Sequence, residues 1–206
     1  MFQAEKSLGR IFSFVLDQLL LNMLFLLCSM PVITIGAAAI ALYEQEYAVW
    51  EGRDSQLIRS FLRSVLRNFL KGLILLGIGV ILTVAGLGIW SSLILLGLPA
   101  RWMAGVVLTI VGGIFLWFLG LTGRYEQKIG ITFGNAFNLA IQKLPVTVLL
   151  ALVNLGYPAA FLVMPERFLS GYLFILLFLF WAVAAWLSAG LLLKALQSVD
   201  PGASAG

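Results

Sequence analysis

Residues 72–100, GLILLGIGVILTVAGLGIWSSLILLGLPA, run without a single Asp, Glu, Lys or Arg. A helix of that length in water needs a polar face, and this stretch has none. It exceeds the roughly 18 apolar residues that mark a membrane-spanning candidate. Four more windows are equally free of charge: 18–43, 102–123, 144–165 and 168–193. A charged side chain at the bilayer centre costs about 3 kcal/mol on the mildest scale, which accounts for the exclusion. Lipid is the solvent that such a chain requires.

Composition agrees. Of 206 residues, 62% are hydrophobic and 11% charged, with a mean hydropathy of +1.06. Soluble domains run near half apolar and a quarter charged, so too few polar groups remain to cover a water-facing surface. The fold class expected is all-α, a polytopic membrane helical bundle. A lone cysteine, Cys28, cannot form an internal disulfide. The first apolar run contains Asp17 and is too long for a secretory h-region, so it reads as a retained helix.

Pro31, Pro99 and Pro165 each stand where a long apolar stretch must turn. Proline ends helices and restricts its predecessor, which suits tight turns between antiparallel segments. About six transmembrane segments in three hairpins follow. The first hairpin is 11–50 (11–30 with 33–50), the second 72–123 (72–97 with 101–123) and the third 145–194 (145–164 with 170–194). Connectors over 53–71 and 131–144 join them, and 195–206 reads as a short disordered tail. With both termini cytoplasmic, eleven of the thirteen basic residues fall on the inner side, leaving Arg101 and Arg167 outside. The second segment is the weak point, because Glu44 and Glu46 follow only ten uncharged residues, 34–43. It must continue to about Trp50, with the glutamates at the inner interface or facing protein. A five-segment alternative takes 18–43 as one kinked helix, and it moves Lys6 and Arg10 to the wrong side.

The connector 56–71, QLIRSFLRSVLRNFLK, sets Arg59, Arg63, Arg67 and Lys71 four residues apart in one stripe. Leu57, Ile58, Phe61, Leu62, Val65, Leu66, Phe69 and Leu70 cover the other side. This is the pattern of an interfacial amphipathic helix, basic towards a bilayer with anionic headgroups. As a bland feature it anchors topology; as a functional one it contacts lipid or an acidic partner. The second connector is milder: Phe133, Phe137, Ala140 and Ile141 face one way, with Asn135, Asn138 and Gln142 elsewhere. Phe61–Lys71 and Phe133–Lys143 share one spacing, and Tyr43-Glu44-Gln45 recurs as Tyr125-Glu126-Gln127. The pair is either a duplicated unit or a coincidence of biased composition.

Asp17, Asn22, Thr34 and Asn154 form the candidate intramembrane polar cluster. Ionisable and amide groups inside a membrane are functional candidates, although each serves equally well as an interhelical hydrogen-bond partner. Gly105, Thr109 and Gly113 repeat every four residues, as do Ala185 and Ala189, which favours close helix packing. No histidine is present, and no GxxxxGK[ST], CxxC, HExxH or GxSxG motif occurs. No catalytic residue, cofactor or metal is therefore expected, and the reading is not an enzyme. Nucleic acid is no expected partner, since lipid explains the basic stripe.

Leu21-Asn22, the run Cys28-Ser29-Met30-Pro31-Val32-Ile33-Thr34-Ile35-Gly36-Ala37-Ala38, and Ala41-Leu42-Tyr43 resemble the opening signature of the YesL-like family of uncharacterised bacterial membrane proteins. Glu51-Gly52 and the run from Phe61 through Arg67-Asn68-Phe69-Leu70-Lys71 resemble its second signature. Length and layout are similar over nearly the whole chain. The resemblance implies a Gram-positive bacterial source and a genetic setting beside carbohydrate uptake and degradation. With the basic connector, it implies an accessory role in carbohydrate utilisation, with ABC sugar-transporter subunits as partners. A stand-alone small-solute carrier and a structural membrane interaction protein are the alternatives. Oligomeric state is open.

Overall fold

A computed structural model describes residues 2–53, 56–92, 98–160, 171 and 180–198. Among them every regular element is a helix: α1 (Phe2–Ser29), a 3-10 turn (Val32–Thr34), α2 (Ile35–Trp50), α3 (Leu57–Arg67), α4 (Phe69–Ser92), α5 (Leu98–Arg124), α6 (Ile129–Gln142), α7 (Leu144–Ala160) and α8 (Trp181–Gln197). Stretches long and apolar enough to cross a membrane occur in α1 (Phe12–Ser29), α4 (Phe69–Ile89) and α5 (Gly105–Arg124). A fourth arises if α6 and α7, bent by 105° at their junction, count as one broken span. α8 is apolar but shorter. Of the six expected segments, the described residues thus supply three such helices, or four. Pro165, Arg167 and the turn of the third hairpin lie outside the described residues, as does the tail from 199. The helix α8 takes residues 195–197, which composition had assigned to the tail.

α2 is the hub, packed on α1, α3, α4, α5 and α8. Its first half is rich in alanine, which favours helix and lets neighbouring backbones approach. Ala37, Ala38, Ile40, Ala41, Leu42 and Tyr43 are all buried. The turn before it is closed by Thr34, whose hydroxyl donates to the Pro31 carbonyl at 2.6 Å and also to that of Cys28. Gly52 ends the helix with a φ of +64°. Its N–H bonds Val49 O at 3.2 Å and Arg53 N–H bonds Ala48 O at 2.9 Å, a Schellman cap that only a left-handed residue completes.

α2 lies antiparallel along α3 and the beginning of α4. Ser60 Oγ donates to Gln45 Oε1 at 2.7 Å, Ser64 bonds Glu44, and Gly36 meets Gly72 backbone to backbone. A Cβ on Gly36 would strike the Gly72 carbonyl, so both positions need glycine. The expected layout of upright spans puts the starts of α2 and α4 at opposite faces; here they touch.

Hydrogen bonds continue across the α3–α4 junction, from Asn68 N–H to Ser64 O at 2.9 Å and Gly72 N–H to Asn68 O at 2.7 Å. The amphipathic stretch therefore divides at Asn68, and residues 69–71 belong to α4. Beyond Leu75, α4 leans on α5 through Gly79 against Phe115 and Gly86 against Leu108. Elsewhere it exposes Val80, Ile81, Val84, Leu87 and Ile89. A contiguous apolar surface of this kind suits hydrocarbon.

Candidate functional site

The candidate site is built where α2 and α5 end and α3 passes. Arg67 reaches two acids, Glu44 on α2 at 2.6 Å and Glu126 just after α5 at 3.1 Å. The two Tyr-Glu-Gln copies seen in the sequence are thus clasped by one guanidinium. A second group forms around Glu51, held by Arg53 at 2.7 Å and by Arg124. Arg124 also lies 5.3 Å from the centre of the Tyr47 ring and 5.9 Å from that of Tyr125. Between them is a cavity of about 220 Å³, lined in part by Asn68, Thr122 and Gly123. Each arginine at this cavity already faces a carboxylate, so the arrangement is suited to holding helices together more than to capturing a free anion. The Arg67 side chain is 50% exposed, which limits each of its pairs to about 1 kcal/mol or less.

The predicted basic stripe does not act as one unit. Arg59 and Arg63 are exposed and join no ion pair among the described residues, Arg67 is engaged in the clasp, and Lys71 is half-buried on α4. Nor is the apolar side a single face. Phe61 and Val65 are buried with Ser64, whereas Ile58, Leu62, Leu66 and Leu70 stay exposed beside the arginines. On α6 the expected grouping is corrected in the same way. Thr132, Ala136 and Ala140 are buried, while Phe133, Phe137 and Ile141 point outwards. On α6 small or polar residues take the protein side, which allows a close approach, whereas on α3 Phe61 and Val65 share that side with Ser64.

The intramembrane candidates hold separate posts. Asn22 is fully buried, and its Oδ1 accepts the Ala182 N–H of α8 at 3.2 Å. Thr34 serves the turn. Asn154 Nδ2 donates to Ser188 Oγ at 2.7 Å and so ties α7 to α8. Asp17 is half-buried on α1. The hydrogen bonds that position Asn22, Thr34 and Asn154 go to α8, the Pro31 turn and α8 respectively.

Sequence reasoning left Glu46 at the inner interface or facing protein and did not single it out as a site. Glu46 and Gln18 are 0% and 1% exposed, and Gln18 Nε2 donates to Glu46 Oε2 at 3.1 Å. Their other oxygens, Gln18 Oε1 and Glu46 Oε1, have no hydrogen-bond partner. A signal existed: the two residues stand 28 apart, symmetrically about the Pro31-Val32 turn, and equidistant residues meet in an antiparallel hairpin.

Among the described residues no group of three His, Cys, Asp or Glu side chains could hold a metal. No curated protein and no solved structure matches the chain. Residues 19–99, from α1 through α4 and including Glu46 and Arg67, match the model of a family described as protein of unknown function, DUF624.

Proposed function

We propose that this chain is an accessory membrane component that binds other membrane proteins, serving the carbohydrate uptake that its YesL-like resemblance implies. What carries the reading is how the polar groups are used. Asn22, Asn154, Thr147, Tyr47 and Trp117 join helix to helix, whereas Arg59 and Arg63 are presented outwards beside an exposed apolar stripe. A protein spending its interior on self-assembly and its surface on a basic, apolar ridge is suited to contact with partners and with anionic headgroups. ABC sugar-transporter subunits are the partners proposed. Co-purification from native membranes should recover a permease subunit, and a deletion strain should lose sugar uptake. Recovery of no permease together with unaltered uptake overturns the proposal.

The proposed location is the plasma membrane, multi-pass, with both termini cytoplasmic. The distribution of basic residues supports this orientation. It holds whether the α1–α2 hairpin crosses fully, as in the six-pass layout, or dips in and returns, since either path brings the chain back to one face. Reporter fusions at the two ends should report the same face. Labelling of a cysteine at Met30 from outside distinguishes the two paths, reacting only if the hairpin crosses.

A second reading, a stand-alone small-solute carrier, is favoured by the cavity of about 220 Å³ lying beside the Arg67 clasp. Flux of a sugar or small ion through liposomes containing the purified protein would establish it, and its absence would leave the accessory role.

A further inference from the structure

The Gln18–Glu46 contact contains one hydrogen bond and two idle acceptors, and its chemistry is incomplete as a carboxylate facing a carboxamide. The free atoms are both oxygens, and neither can donate to the other. Each is enclosed in protein with no partner, and an unpaired buried polar atom is destabilising. Among the described residues ionic compensation is missing as well. Glu46 takes part in no ion pair among the described residues.

Among the residues whose side chains are described, the charged groups on the helices around α2 are committed elsewhere or lie at the surface. On α1 the neighbour is Asp17, an acid itself. On α3, Arg59 and Arg63 are exposed and Arg67 holds Glu44 and Glu126. Lys71 on α4 is half-buried, Lys194 on α8 is exposed, and Arg124 on α5 is bound to Glu51. On α2 itself Glu44 is paired with Arg67, and Tyr43 and Tyr47 are neutral phenols.

We propose that Gln18 and Glu46 form a proton-binding site, in which a proton on Glu46 Oε1 donates to Gln18 Oε1. One added atom then satisfies both idle oxygens, and the pair becomes a two-bond ring of carboxylic acid and carboxamide. A cation larger than a proton needs several more oxygen ligands, and only these two are idle at the pair. The proton fastens α1 to α2. Its loss leaves a buried carboxylate opposite a carbonyl oxygen and close to Asp17, which drives the two helices apart.

Infrared spectroscopy of the detergent-solubilised chain reads this directly. At neutral pH the wild type should show a protonated-carboxyl band of one equivalent per chain, sensitive to ¹³C-glutamate labelling and absent from Glu46→Gln. That variant replaces the acid with an amide able to make the same two bonds, so it should fold, and the hairpin should no longer respond to pH. Should Glu46→Gln fail to fold, titration of the labelled wild type decides alone: the band must give way to carboxylate as pH rises, together with a change in a spin-label distance between α1 and α2. A wild type showing only carboxylate, a band that survives in Glu46→Gln, or a band abolished by adding sodium or potassium at constant pH would each overturn the site.

Discussion

Two stretches of the chain share a pattern and finish it differently. In the first α2 is followed by amphipathic α3 and then α4; in the second α5 is followed by α6 and then α7. Phe61–Lys71 and Phe133–Lys143 have the same spacing, and each junction keeps two flanking backbone hydrogen bonds, Asn68 N–H to Ser64 O and Gly72 N–H to Asn68 O in the first, Lys143 N–H to Leu139 O and Thr147 N–H to Lys143 O in the second. Yet α3 and the start of α4 both run along α2, whereas α6 turns by 105° into α7. The residues at the two junctions differ. Asn68 and the three residues after it all carry an N–H, while Pro145 cannot donate to Ile141 and its ring crowds that carbonyl. Proline in the first turn of α7 is well tolerated, so the bend costs the new helix little. Thr147 then braces the junction, its hydroxyl donating to the Ala140 carbonyl at 2.8 Å and accepting from Trp117 Nε1 at 3.0 Å. The lesson is that similar amphipathic patterns take their course from the backbone at the hinge.

The largest effect should come from the helix crossings. Gly36→Ala drives a Cβ into the Gly72 carbonyl, whereas Gly86→Ala meets only the end of the Leu108 side chain. Thermal unfolding in detergent should show Gly36→Ala losing about 3 kcal/mol or more and Gly86→Ala clearly less. Equal losses would mean that the two crossings are not distinct in kind. Asn68→Pro transplants the second stretch's break into the first. It should cost about 3 kcal/mol and bend α3 away from α4, which spin labels on the two helices would register as a shortened distance.

Smaller effects follow at the polar contacts. Thr147→Val strands the buried Trp117 N–H, with an expected loss of about 2 kcal/mol in the same unfolding assay. No comparable loss is expected for Thr83→Val, whose hydroxyl bonds only its own helix at Gly79 and is exposed. Least of all, Arg59→Gln with Arg63→Gln should leave stability unchanged while weakening attachment to anionic vesicles by about 1 kcal/mol per charge. Changing Asn135 and Asn138 on α6 to alanine should leave that attachment alone. Flotation assays at two salt concentrations measure the contrast, and a basic ridge indifferent to lipid charge would leave only its partner-binding role.

Much of the fold was legible because the strongest signals are local. Charge-free windows marked helices α1, α4, α5 and α7, Pro31 marked the first break, and the continuation of α2 to Trp50 followed from its glutamates. The site was legible only in parts. Arg67 stood out by its four-residue period, and Glu44 and Glu126 by their repeated motif, but nothing in the pattern joined the three. Asn22 was read as a helix-to-helix bond, and its partner, the backbone of Ala182, carries no sequence mark at all. Glu46 was left at an interface or in the interior, when the symmetry of the Pro31 turn already paired it with Gln18.

The sequence by itself determined the solvent, the helical class and several of the breaks, because transfer into lipid, hydrogen-bond saturation and proline geometry act on each segment separately. Tertiary structure alone decided which helices touch and at what height. Segments of nearly equal apolarity gain nothing from lipid by choosing one neighbour over another, so the choice rests on small-residue contacts and single polar bonds. Gly36 on Gly72, Arg67 across two acids and Glu46 against Gln18 are decisions of that kind, and each exists only once the helices have met.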